Sequence, residues 1–118
     1  MRDHRKLRAF ELADQIAMLI YKLTAGFPQD EQYGLTSQIR RAAVSVPSNI
    51  VEGCSSDSQA DFVRFLYIAY GSLKELHYQI DLSTRLGFLS NQDASSAITK
   101  MIKTEKVLNS LIRAIRKD

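Results

Sequence analysis

The sequence is poor in the residues that most often carry chemistry or fix a turn. Its 118 residues include one cysteine, two prolines, five glycines, two histidines and no tryptophan. A lone Cys54 excludes an internal disulfide framework and suits a reducing compartment. Few Gly and Pro leave too few turns for an all-β fold. The apolar-rich run Gln15 to Tyr21 falls far short of the ~20 residues that span a bilayer, so no membrane association is expected. Behind the basic start MRDHRKLR there is no hydrophobic segment, hence no secretory signal, and a cytoplasmic protein is expected.

Catalytic groupings are missing too. His4 and His77 cannot supply the Glu-x-x-His pairs of a di-iron bundle, since the residue three before His77 is Lys74. Cys54 has no histidine or second cysteine near it in sequence, and reads as a small loop residue. No Gly-rich phosphate loop, nucleophile elbow or zinc motif occurs. The expectation is a protein that is not an enzyme and uses no metal or cofactor.

What the chain does contain is helical periodicity. A first helix, about Leu7 to Thr24, aligns Ala9, Leu12, Ala13, Ile16, Leu19, Ile20 and Leu23 on one face and stops at Gly26-Phe27-Pro28. A second, about Thr36 to Glu52, aligns Ile39, Ala42, Ala43, Val46 and Ile50, with Gly53 as its stop. Pro47 lies inside it, where a lost donor and a ring clash cost about 3 kcal/mol. Because the flanking apolar residues stay in phase, Pro47 predicts a bend and not a loop. A third helix starts at Ser58, an imperfect capping box with Asp61, and ends at Arg85 or Leu86 before Gly87. Its core face is Phe62, Phe65, Leu66, Ala69, Leu73, Leu76 and Ile80. The fourth starts at Ser90 or Asn91 and runs nearly to the C-terminus, burying Ala94, Ile98, Met101, Leu108, Ile112 and Ile115. Short connections make successive helices antiparallel, giving an all-α, up-down-up-down four-helix bundle as a single domain over 1–118.

That topology gathers charge. The net +3 resides in the two ends of the sequence, with a slightly acidic middle. Arg2, Arg5, Lys6 and Arg8 then lie near Arg113, Arg116 and Lys117, opposed locally by Asp3 and Asp118. Lys100, Lys103, Lys106, Arg113 and Lys117 also cluster on one side of the fourth helix. Such a face can be merely solvated; joined to the basic end it is a candidate surface for nucleic acid.

Apolar residues outside the core stripes point to self-association. Val63, Tyr67, Tyr70 and Tyr78 on the third helix and Val44 and Val51 on the second fall on faces that a monomer would leave wet. Tyrosine suits such contacts because one side of the ring packs while the hydroxyl stays hydrated; base stacking is the other use. Polar residues inside the bundle call for partners. Glu105 and Glu75 read as members of ion pairs that fix helix register, with Arg40 on the flank of the second helix. Ser45, Ser48 and Asn49 are placed to satisfy the Ala43 carbonyl that Pro47 deprives of its donor.

The stretches YGLTSQIRRAAVSVPSNIVEG and FVRFLYIAYGSLKELHYQIDLSTRLGFL, with FELADQIAMLIYKLTAGFP before them, resemble the four-helix-bundle family of bacterial ribosomal intervening-sequence proteins. Some members are encoded within insertions in large-subunit ribosomal RNA genes. The family's signature residues here are Arg40, Arg41, Ser45, Pro47, Asn49, Glu52, Gly53, Gly71, Ser72 and Glu75. The resemblance implies a ring-shaped homopentamer. It also implies kinship with the accessory variability protein of diversity-generating retroelements, which is basic and associates with nucleic acid and a reverse transcriptase. Many relatives carry a basic residue after the Glu-Gly pair, where this chain has Cys54-Ser55-Ser56-Asp57. Arg40 and Arg41 read as partners for carboxylates within or between protomers. The expected function is an oligomer that binds RNA or a nucleic-acid-processing protein through its basic surface; the alternative is a protein-binding scaffold.

Overall fold

A computed structural model of the chain describes residues 2–117. It contains four long helices: α1 (Arg8–Thr24), α2 (Leu35–Ser55), α3 (Gln59–Arg85) and α4 (Asn91–Lys117). Single 3-10 turns at His4–Lys6 and Gln29–Glu31 precede the first two, and no strand occurs among the described residues. Asp118, expected to oppose the basic end, lies outside them.

Local chemistry sets the helix ends. Ser58 Oγ accepts the Asp61 N–H at 3.0 Å, and Ser90 Oγ accepts the Asp93 N–H at 3.1 Å. Caps of this kind are each worth about 1 kcal/mol. The Asp61 carboxylate does not complete a capping box but turns to Arg64, 3.8 Å away. Gly34 offers α2 no side-chain cap, so the Glu31 carboxylate accepts the Leu35 N–H at 3.0 Å instead. At the end of α3, Gly87 has φ +82°. There the Phe88 N–H reaches the Ser83 carbonyl at 2.9 Å and the Gly87 N–H reaches Thr84, a Schellman close.

Gly53 was expected to end α2, yet the helix continues two residues further, to Ser55. The missing side chain serves packing. A Cβ on Gly53 would stand 3.0 Å from Phe62 Cδ1 and 3.0 Å from Phe65 Cβ. Cys54 is consequently a buried helical residue and not a loop residue, and burial pushes its thiol pKa up. Pro47 lies within the continuous α2, its ring buried. Asn49 Nδ2 donates to the Ser45 carbonyl at 2.8 Å and to Ser45 Oγ at 3.0 Å, not to Ala43 as expected.

The helices pack in sequence order, α1 on α2, α2 on α3 and α3 on α4, and α1 also packs on α4, with no close backbone approach between α1 and α3 or α2 and α4 among the described residues. Between them lies one core, with Ile16, Ile20, Ile39, Ile50, Leu66, Leu73, Leu76, Met101 and Leu108 fully buried. Burying each such side chain contributes about 1.5–3 kcal/mol. The α4 stripe is rotated from the expected one. Ala97 and Thr104 are buried while Ile98 is half-buried. Thr104, Thr24 and Ser83 tolerate burial because each hydroxyl donates to the carbonyl four residues before it, at 2.7–2.8 Å. Leu19, Leu23 and Phe65 are half-buried at the core margin.

Two glycines give opposite expectations. Gly53→Ala should destabilise by about 1–3 kcal/mol, because two phenylalanines must give way. Gly71→Ala meets nothing within 4 Å in a helix interior and should stabilise by about 0.5–1 kcal/mol. Urea unfolding of the two variants checks both, and a neutral Gly53→Ala would contradict the close α2–α3 packing.

Candidate functional site

Arg2 is bound into one end of the molecule. The Arg2 N–H donates to the Cys54 carbonyl at 2.9 Å, and its guanidinium lies 4.1 Å from the centre of the Phe62 ring. At that end Gln59 Nε2 of α3 donates to the Ile115 carbonyl of α4 at 2.7 Å. Arg2 and the end of α4 therefore lie at the same end of the molecule.

Many of the chain's cations are already engaged. Arg5 clasps Asp3 through Nε at 3.0 Å and Nη2 at 3.2 Å, a hydrogen bond that holds the Asp3 carboxyl below its usual range. Arg8 pairs with Glu11 at 2.9 Å. Lys100 departs from the cluster assigned to it: it sits on the α1 flank, donating to Gln15 at 3.0 Å. Arg116 donates to the Tyr67 hydroxyl at 2.7 Å, so residues assigned separately to nucleic acid and to subunit contact touch. Lys6, Lys103, Lys106, Arg113 and Lys117 are exposed and have no side-chain partner among the described residues. Lys103, Lys106, Arg113 and Lys117 share the face of α4 opposite its buried Leu108 stripe. Beyond its first turn α4 carries one acid, Glu105. That carboxylate is turned to α3, 3.0 Å from Lys74 Nζ and 3.4 Å from His77 Nδ1, with its side chain only 13% exposed. The bond to Glu105 holds the Lys74 pKa up. Among the described residues the outer face of α4 is thus cationic without a paired acid.

The apolar residues assigned to subunit contact do not form one patch. Tyr67 (45% exposed) and Tyr78 (59%) lie on α3, Tyr67 on the side of α4. Val44 (41%) lies on α2 and lines a groove with Tyr21 of α1 and the exposed Tyr33. Val63 and Tyr70 pack partly against the core, and Val51 is half-buried. Exposed Ile68, which the sequence reading placed on no face, joins the α3 surface.

Between the two apolar groups runs a polar seam. Arg41 Nη2 meets Glu75 Oε2 at 2.6 Å, Gln79 Nε2 donates to the same oxygen at 3.1 Å, and the Ser45 and Ser72 hydroxyls bond at 2.8 Å. Arg41 thus has an intrachain carboxylate. Arg40 points the other way, its Nε donating to Thr24 Oγ1 at 2.9 Å and its guanidinium 4.6 Å from the Tyr21 ring centre. Glu52 and Ser48 are left without side-chain partners among the described residues. The open groove beside Arg40 and Arg41, about 710 Å³, is lined by tyrosine, serine, threonine, amide and arginine side chains together with Val44. No Asp, Glu, His or Cys among the described residues borders it. Tyr21, Tyr33 and Thr24 escaped the sequence reading; the outward phase of Tyr21 on α1 was the available signal for one of them.

No group of three His, Cys, Asp or Glu side chains capable of holding a metal occurs among the described residues. No helix among them is long and apolar enough to cross a membrane.

Residues 5–110 match the family model described as 23S rRNA-intervening sequence protein. A solved structure from Bacteroides thetaiotaomicron VPI-5482, a protein with unknown function from the S23 ribosomal protein family, superposes with a TM-score of 0.79 at 25% identity, covering 88% of this chain and 97% of that one. No curated protein matches. With nearly its whole length matched, the chain belongs to the 23S rRNA-intervening sequence protein family.

Proposed function

We propose that this protein is a non-enzymatic module that assembles with copies of itself into a ring, a pentamer by the family resemblance, and binds RNA through the outer face of α4. The observation that carries the RNA reading is the cationic face of Lys103, Lys106, Arg113 and Lys117, with which no acid among the described residues pairs. Phosphate is the matching ligand, because each cation that contacts it releases a counter-ion. A protomer with net charge +3 binds weakly alone, whereas a ring repeats the face around one assembly. Arg116, on the α3 flank of the same helix, borders this surface. Few aromatic side chains border it, which favours sequence-tolerant backbone contact over base readout. The family's name makes 23S rRNA the first probe.

The ring is supported by the division of exposed apolar residues between two sides of the protomer, since a cyclic assembly joins two dissimilar surfaces. In this reading the chain is one up-down-up-down bundle domain, with α2 bent at Pro47 where the backbone donor is lost. The Arg2–Cys54, Gln59–Ile115 and Arg40–Thr24 bonds, which tie helix ends to their neighbours' ends, support that topology. A buried lone thiol suits the cytoplasm. The groove, whose polar lining is neutral or cationic, holds no general base, which supports binding over catalysis.

Two outcomes are expected. RNA affinity should fall with salt at a log–log slope of about −0.7 to −0.9 per phosphate contacted. The Lys103→Glu, Lys106→Glu, Arg113→Glu variant should lose more than about tenfold in affinity and show a shallower slope. Equal binding by both proteins, or no binding at low salt, would replace the RNA reading with a protein-binding scaffold. Separately, light scattering at micromolar concentration should give a multiple of the 13.4 kDa protomer. Tyr67→Lys with Tyr78→Lys should reduce that mass, because charge would be desolvated at an apolar contact; a monomeric wild type would refute assembly.

A further inference from the structure

The groove beside α2 holds a guanidinium that is positioned but not neutralised. Thr24 Oγ1 and the Tyr21 ring fix the Arg40 fork, yet its two terminal nitrogens have no acceptor among the described residues. Glu52, on the same helix, is the complementary case. It is exposed and unpaired, and its helical neighbours three and four residues away are Ser48, Asn49, Ser55 and Ser56, none of them a cation. Other unpaired acids are compensated differently. Asp57 and Asp93 lie just before or within first helical turns, where the backbone N–H groups favour a carboxylate. Among the described residues, Asp14 on the outer face of α1 and Asp30 in the turn before α2 share the situation of Glu52.

Arg40 and Glu52 cannot meet within one chain. Twelve residues of continuous helix separate them by about 18 Å. They also face different neighbours. Arg40 turns to α1, while Glu52 continues the stripe of Arg41 and Ser45, both bonded to α3. A basic fork on one side and a carboxylate on the other are the two halves of a head-to-tail contact.

We propose that the groove between α1 and α2 docks a second copy of this chain, whose Glu52 enters it and pairs with Arg40. The inference rests on the ring reading and assigns the contact that closes the ring. Charge selects the occupant: the groove offers arginine and no acid, so it favours a surface that brings a carboxylate. Glu52 stands among small serines and an asparagine, which lets its helix approach closely. Val44 and Tyr21 line the groove and supply the apolar surface that such a contact buries. In a ring every protomer offers its fork to one neighbour and its carboxylate to the other, so each is satisfied once.

The test compares wild type, Arg40→Glu, Glu52→Arg, the double variant carrying both, and Asp14→Arg, by sedimentation at several protein concentrations, with circular dichroism to verify helix content. Each single reversal at the pair should weaken assembly by more than about tenfold. The double variant should regain the wild-type mass, and Asp14→Arg should keep it. Glu52 is exposed and unpaired, so Glu52→Arg tests the contact even if Arg40→Glu disturbs folding. An assembled wild type whose single variants keep their mass, a double variant that stays dissociated, or equal loss in Asp14→Arg would overturn the pair while leaving the ring intact. A monomeric wild type would overturn both. Loss of RNA binding by Arg40→Glu at unchanged mass would give the groove to a phosphate and overturn the proposal.

Discussion

The close approach of α2 and α3 is the constraint on which the rest of the molecule depends. It exists because Gly53 has no Cβ where Phe62 and Phe65 come within 3.0 Å of the position that one would occupy. Ala42 and Ala43, both fully buried, keep the rest of α2 narrow against the core. Register along the pair is then set by two polar ties, Ser45 with Ser72 and Arg41 with Glu75. The second is more than a third exposed at both side chains, so its net energy is on the order of 1 kcal/mol or less. Its value is geometric. A slip of one turn would leave Glu75, already sharing an oxygen with Gln79, without its arginine.

Anchoring α2 to α3 in this way decides what its other flank presents. With Arg41 drawn toward α3, Arg40 is left on the α1 side, where Thr24 and Tyr21 orient it beside an open groove. A similar economy operates at α4. Glu105 is consumed by Lys74 across the α3–α4 seam, which removes the acid that could have offset the helix's cations. Internal pairing therefore does two things together: it fixes helix register, and it sorts the leftover charge into a cationic α4 face and a carboxylate on α2. The candidate surfaces are what remains after the helices have satisfied one another.

Much of the fold was legible in the sequence because helical periodicity records burial directly. Ile39, Ala42, Ala43, Val46 and Ile50 were expected on one face, and all five are completely buried. The misreadings have specific causes. Gly53 is a stop signal by local propensity, but tertiary packing used its small size and carried the helix on to Ser55. Thr104 reads as polar, yet a hydroxyl that bonds the carbonyl four residues back can sit in a core, and this turned the α4 stripe toward Ala97. The candidate surfaces were less legible. Spacing alone placed Lys100 with the other lysines, although its position on the flank and the reach of its side chain take it to Gln15 on α1. Nor could spacing foresee that Tyr67 and Arg116 would bond across two helices, because that depends on how α3 and α4 are rotated against each other.

The account's central claim is that the unpaired cations of α4, and not basic residues in general, meet the nucleic acid. Lysine footprinting tests it most directly: acetylation of the wild-type protein, with and without 23S rRNA fragments at low salt, read residue by residue by mass spectrometry. Lys22, exposed and unpaired on α1 among the described residues, is the internal control. RNA should protect Lys103, Lys106 and Lys117 while Lys22 reacts as before. Equal labelling of the α4 lysines with and without RNA, or protection of Lys22 to the same degree, would contradict the claim.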